Sequence, residues 1–282
     1  MARNYYYFVA GLPDLLLDEG KASAACVDFA TEAQEQLSPE DYACFNLLRL
    51  PFDNENLVGL IEKKKHEHDR RGSIDEADLE AGHKFSDALP LYMQRFLEAF
   101  RENRSPHPGL TVADQLSWFF HEEMAEQQCA FIRDWYTFDL QLRNVIAAIN
   151  CRRNLAHIDA LATDRDKAAS ALLIGRDDVA EALLRSNAPD FGLSAQLPWI
   201  DRLLGQSRGK PLDFEKGVDT LRWDVLNEMT IASYFQAETV YAFYLKLTIV
   251  ERWRALDPKS GRERLDMLLG ELKASYIVPE LF

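Results

Sequence analysis

No stretch of this chain is both long enough and apolar enough to cross a membrane. Uncharged runs such as residues 4–13 and 191–200 reach about half of the ~20 residues a spanning helix requires. No secretory leader is expected either, because Asp14, Asp18 and Glu19 interrupt the apolar opening before a hydrophobic region can form. Cysteine is sparse. Cys26, Cys44, Cys129 and Cys151 lie far apart with no C-x-x-C pair, which favours reduced, mostly buried thiols in a cytoplasmic protein over a disulfide frame or a zinc site. Positive charge is in deficit: 32 Lys and Arg face 46 Asp and Glu, a formal net charge of −14. That balance argues against sequence-independent nucleic-acid binding and against attachment to an anionic membrane surface. It suits a soluble protein or a basic protein partner.

Catalytic motifs are equally scarce. Gly-x-Ser-x-Gly is absent, and no serine or cysteine stands at a telling distance from a histidine. Gly205-x-x-x-Gly209-Lys210-Pro211 has one residue too few between its glycines for a phosphate loop, and proline where Ser or Thr would reach magnesium. It reads as a linker. Three clusters carry metal-type side chains. His66-Glu67-His68-Asp69 falls in a polar stretch without apolar periodicity. Glu80-Ala-Gly-His83 has di-iron spacing but no second copy, and His121-Glu122-Glu123 lacks the second histidine of a zinc-protease helix. Solvated charged faces are the commoner meaning of each. Neither a metal, a cofactor nor a catalytic residue is expected.

What the chain does have is helical patterning and enough length for a large core, with 47% hydrophobic residues over 282 positions. Ser38-Pro39-Glu40-Asp41 combines an N-cap, proline at the first helical position and acidic residues in the first turn. Ser73-Ile-Asp-Glu76 and Thr111-Val-Ala-Asp114 read as further helix starts. Residues 66–72 read as an exposed loop. A long helical region spans 111–154, with a kink or split expected near Asp134. In residues 238–256 apolar side chains occupy more than one face, the pattern of a helix buried on most sides. A final helix is expected from Ser260 through Leu265, Leu268, Leu269 and Leu272. Only residues 4–9 have strand character, and they lack a partner, so the fold class expected is all-α.

Two breaks, Ser105-Pro-His-Pro-Gly109 and Gly205-Gln-Ser-Arg-Gly-Lys-Pro211, divide the chain into helical lobes at 1–104, 105–209 and 210–282. One continuous domain is the alternative. The aromatic run Tyr5-Tyr6-Tyr7-Phe8 is expected to dock into the body, because a terminus frays unless it is tied down. Arg143-Asn144 and Arg152-Arg153 follow aromatic helix segments. Helix capping or internal ion pairs are their commoner role, and the sharper reading makes Arg143, Asn144, Arg152 and Arg153 a partner contact.

Asn4-Tyr-Tyr-Tyr-Phe-Val-Ala-Gly-Leu-Pro-Asp-Leu15 resembles the start of an uncharacterised bacterial family whose genes lie among those for V/A-type ATPase subunits. Beyond it the chain is similar, distantly and in shortened form, to the C-type (d, or AC39-type) connector of those rotary ATPases. Tyr5-x-Tyr7 with Val9-Ala10, Phe138-Asp-Leu-Gln-Leu-Arg-Asn-Val-Ile146, and the helix pair formed by residues 238–254 and 265–272 carry this likeness. Gly11-Leu-Pro13 should stop a helix where the first helix of that connector runs on. The resemblance implies a fold of two to three related helical lobes. It also implies a non-catalytic link between the central stalk and the proteolipid ring, cytoplasmic and peripheral to the membrane, its contacts made by the lobe ends and a central polar concavity. The alternatives are a soluble helical enzyme or metal-binding protein, and a homo-oligomeric scaffold.

Overall fold

The computed structural model describes residues 3–17, 25–63, 67–85, 89–105, 107, 109–155 and 172–256, together with 261, 262, 266, 267 and 269. The described residues form helices and no strand. The elements are α1 (Tyr6–Ala10), α2 (Cys26–Gln36), α3 (Pro39–Leu47), α4 (Leu50–Ile61), α5 (Glu76–Phe85), α6 (Leu91–Arg101), α7 (Val112–Ala125), α8 (Ala130–Leu155), α9 (Asp178–Arg185), α10 (Ile200–Gln206), α11 (Pro211–Thr230) and α12 (Ala237–Ala255). The final helix expected around Leu265, Leu268 and Leu272 lies largely outside the described residues.

Local chemistry sets several of the starts. Ser38 accepts the Asp41 N–H at 3.2 Å, with Pro39 opening α3. Thr111 accepts the Asp114 N–H at 3.1 Å and returns its hydroxyl to the Asp114 carboxylate at 2.7 Å, beginning α7. Each cap satisfies a backbone donor that the helix leaves unpaired. Ser73 behaves differently from the expected cap. Its hydroxyl is committed to Asp53 at 2.9 Å, and the Leu79 N–H bonds the Asp75 carbonyl instead, so α5 starts two residues later than a cap at Ser73 would place it.

The long region 111–154 does divide, but at 126–129 rather than near Asp134. Cys129 accepts the Arg133 N–H at 3.1 Å, which makes it the capping residue of the new helix. The strand character of residues 4–9 resolves into the short helix α1. Tyr5 N–H makes one bond to another segment, the Phe235 carbonyl at 2.6 Å, while Val9 N–H closes on the Tyr5 carbonyl at 2.9 Å. A single cross-segment bond builds no ladder, so the local turn wins. Gly11 ends it, as the sequence implied.

α12 is the pillar of the core. Val240, Tyr241, Phe243, Tyr244, Leu245 and Leu247 are all buried, as a helix enclosed on most sides should be. Phe243 meets Phe29 of α2 at 4.9 Å, Tyr244 meets Phe45 of α3 at 4.8 Å, and Tyr241 meets Phe131 of α8 at 5.5 Å between ring centroids. Burying each such side chain contributes roughly 1.5–3 kcal/mol. One hydrophobic cluster thereby runs from Tyr5 to Leu247, joining residues of all three sequence segments. A smaller cluster of Leu110, Trp118 and Ile174 sits beside it.

The stretch read as an exposed loop is instead clamped to α4 (His66 itself lies outside the described residues). Asn56 exchanges two hydrogen bonds with the Asp69 backbone, at 3.0 and 2.8 Å. Asp53, fully buried, accepts from Ser73 N–H, Ser73 hydroxyl and Ile74 N–H at 2.9, 2.9 and 3.1 Å. Arg49 donates to the Arg71 carbonyl at 2.9 Å and also to that of Gly72. Gly72 passes so close to Asp53 that a Cβ would stand 2.2 Å from its carboxylate. Side chains of Arg49, Asp53 and Asn56 bind the backbone of this stretch, a pairing invisible to periodicity. The break at 205–211 is likewise a tight turn, with Gly209 N–H on the Gln206 carbonyl at 2.9 Å and α11 starting at Pro211.

Candidate functional site

Helical spacing places Tyr136, Asp139 and Arg143 on one face of α8, and Pro51, Glu55 and Val58 on the facing side of α4. Between them lies a trough made of two joined hollows. The first, of about 510 Å³, is closed by α7 through Ser117, Phe120 and His121. The second, of about 420 Å³, is closed by Asp219 and Arg222 of α11 and by Thr248 and Arg252 of α12. Pro51, Glu55, Tyr136 and Asp139 border both.

Its charges alternate. Asp139 accepts from Arg222 Nε and Nη2 at 3.2 and 3.0 Å, and Arg222 Nη1 reaches Asp219 at 3.3 Å. Asp219, 1% exposed, also takes Arg252 and the Trp253 indole N–H, the latter at 2.6 Å. Arg252 continues to Glu215 at 3.6 Å. Burial works against the Arg222 charge, yet Asp139 and Asp219 outweigh it and raise the guanidinium pKa. Such a chain of pairs adds little net stability, but removing one partner strands the others at a cost of about 3–5 kcal/mol.

His121 stands apart from this network. Its half-buried ring packs between Phe120 and Tyr136, edge-on at 5.2 and 6.1 Å. Burial lowers its pKa to about 4; Asp139 opposes that shift and Arg143 adds to it. The imidazole is therefore neutral at pH 7, and none of the hydrogen bonds among the described residues engages it.

The four residues singled out in the sequence have different settings. Arg143, at the trough's edge, donates to Asp114, to Asn144 Oδ1 at 3.2 Å and to the Leu172 carbonyl at 3.1 Å. Asn144 is fully buried and bonds Ile174 through both ends of its amide, donating at 2.6 Å and accepting at 3.0 Å. Arg152 donates to the Ala188 carbonyl at 2.6 Å and to that of Ser186, with its guanidinium 3.6 Å from the Phe191 ring centre. Arg153 is exposed, and borders with Arg152 and Arg208 a small cavity of about 220 Å³. The pairs are not brought into one surface.

Metal-type clusters remain unassembled. Among the described residues no group of three or more His, Cys, Asp and Glu side chains could hold a metal ion. His83 is half-buried, its pKa lowered by burial and by Arg101 and Lys84, and its Nδ1 has no hydrogen-bond partner among the described residues.

One surface has no counterpart in the motif reading. Tyr6 and Tyr7 of α1 point outward, Tyr7 being 97% exposed. Ile231, Tyr234 and Phe235 of the α11–α12 connection are exposed too, and the Phe235 ring lies 4.8 Å from Tyr6. The signal was available in the apolar residues of a turn, Ile231-Ala-Ser-Tyr-Phe235, but their meeting with the opening depends on the fold. Grouped aromatics left in water mark interaction surfaces.

A family model matches residues 1–275. The chain belongs to that family, described as protein of unknown function DUF2764. The matched span includes the whole trough and the aromatic surface. No curated protein and no solved structure matches the chain.

Proposed function

We propose that this chain is a non-catalytic connector of a V/A-type rotary ATPase, linking the central stalk to the proteolipid ring. The observation that carries the reading is the exposed aromatic surface of Tyr6, Tyr7, Tyr234 and Phe235, apolar area that the chain's own core leaves uncovered. The acidic balance of −14 favours a basic partner. The charged side chains of the trough that pair as Asp139, Arg222, Asp219 and Arg252 neutralise one another, which suits a rigid support better than acid–base chemistry. The partner's identity comes from the resemblance of Tyr5-x-Tyr7 with Val9-Ala10, and of residues 138–146, to the C-type connector. No helix among the described residues is long and apolar enough to cross a membrane, so in this reading the chain is held at the membrane through its partner subunits. Affinity purification of the tagged chain from detergent-solubilised membranes should recover stalk or ring subunits. Reproducible recovery of neither would sink the proposal.

A second reading, a soluble helical enzyme or metal-binding protein, has one observation in its favour: the neutral, unbonded imidazole of His121 facing a hollow of about 510 Å³. Stoichiometric metal in the purified protein, lost in His121→Ala, would favour that reading instead.

A further inference from the structure

The cavity at the end of α8 gathers three arginines that no acid neutralises. Arg152 and Arg153 come from the last turn of α8, and Arg208 from the turn after α10. Together they border a hollow of about 220 Å³ whose apolar wall includes Pro189, Phe191 and Leu204. None of the ion pairs among the described residues involves these three side chains. That is unexpected in a chain with 46 Asp and Glu against 32 Lys and Arg.

Arg152 is held in place. Its guanidinium donates to the Ala188 carbonyl at 2.6 Å and to that of Ser186, and lies 3.6 Å from the Phe191 ring centre. A guanidinium has five N–H donors, so the remainder have no partner among the described residues. Phe191 keeps its place with a φ of 59°, a left-handed backbone that bulky side chains rarely adopt. Strain of that kind gathers where a ligand is clamped. Burial works against the Arg152 charge, and Asp190 offsets this only in part. Asp190 is itself engaged by the Ser194 hydroxyl at 2.7 Å and the Gly192 N–H at 3.1 Å. Arg153 and Arg208 are exposed at the rim.

We propose that Arg152, Arg153 and Arg208 bind the phosphate group of a small phosphate monoester, with its organic part against Pro189 and Leu204. A carboxylate carries one charge, and a single guanidinium fork satisfies it. A phosphate monoester carries about −1.5 to −2 charges near neutral pH and three acceptor oxygens, a closer match to three arginines. Small-molecule sites commonly span about 300–1,000 Å³, so this smaller hollow admits only a short organic group beside the phosphate. The ligand is bound and released unchanged. This site shares no residue with the outward aromatic surface, and it stands whether or not the connector reading does.

The test titrates the full-length protein calorimetrically with phenyl phosphate at about 0.15 M ionic strength, where non-specific attraction is screened. Binding should saturate at one ligand per chain. Benzoate, which keeps the ring but offers a carboxylate, should bind about tenfold more weakly, as should inorganic phosphate, which lacks the organic part. Arg153→Gln and Arg208→Gln should each weaken phenyl phosphate by about tenfold, the loss of one charge-assisted hydrogen bond. Both side chains are exposed, so the variants should fold as wild type does. Arg185→Gln removes an exposed arginine that pairs with Glu181 outside the cavity, and should leave affinity unchanged. Absence of saturable binding would overturn the proposal, as would equal affinity for benzoate or for inorganic phosphate. Undiminished binding by the Arg153→Gln/Arg208→Gln double variant would overturn it too.

Discussion

The aromatic residues at 5–8 occupy one turn of chain yet meet two different environments. Tyr5 and Phe8, three apart, face the body: the Tyr5 hydroxyl donates to Asp41 and accepts the Ser38 N–H at 3.1 Å, while Phe8 stacks on Phe29 at 5.7 Å. Tyr6 and Tyr7 face water, with Tyr6 leaning on Phe235. The expectation that the whole run docks is therefore half right, because a single turn on a surface offers only one face to the core. The inward pair accounts for the tethering of the terminus. Among the described residues the Tyr7 ring, 97% exposed, stacks on no other aromatic ring, and it carries the functional proposal together with its neighbour Tyr6.

The largest effect expected on this contrast is at the inward face. Phe8→Ala should lower stability by about 3–5 kcal/mol in urea unfolding, as truncation of a buried aromatic does. Next, Asp53→Ala should cost about 2–3 kcal/mol by leaving the donors of Ser73 and Ile74 without their acceptor. A loss near zero there would mean that the 69–74 loop is held by something other than α4, and that inward polar groups matter less than inward aromatics. His121 gives a contrast in pH. Its folded pKa lies near 4, below the ordinary 6.5, so the unfolded chain takes up the proton first on acidification. The stability from its neutral form is complete above pH 6.5 and is lost as pH falls toward 4, by about 3 kcal/mol. The difference in stability between wild type and His121→Gln should change by that amount across this window, and a constant difference would place the imidazole in water. Tyr5→Phe should cost about 1 kcal/mol through the lost hydroxyl bonds. Smallest of all, Tyr7→Ser should move stability by less than about 0.5 kcal/mol.

Much of the fold was legible because it rests on local chemistry. The caps at Ser38 and Thr111 use hydroxyls that sit beside the donors they satisfy, and the all-round apolar pattern of residues 238–256 announces a buried helix. The split at Cys129 is hard to place from sequence because residues 126–129 carry neither Gly nor Pro, leaving no local breaker to read. The site was less legible still. Asp139 meets Arg222 only through tertiary packing, and no spacing rule spans such a separation. Even the opening run, conspicuous in sequence, could not reveal which of its rings face out, since that depends on where α11 and α12 deliver Phe235.

The outward aromatics, as the partner surface of a rotary ATPase connector, are the central claim. Its most direct test compares wild-type protein with the Tyr7→Ser/Tyr234→Ser double variant in recovery of stalk and ring subunits from solubilised membranes, at matched thermal stability. Wild type should recover them, and the equally stable variant should not. Undiminished recovery by the variant would contradict the claim.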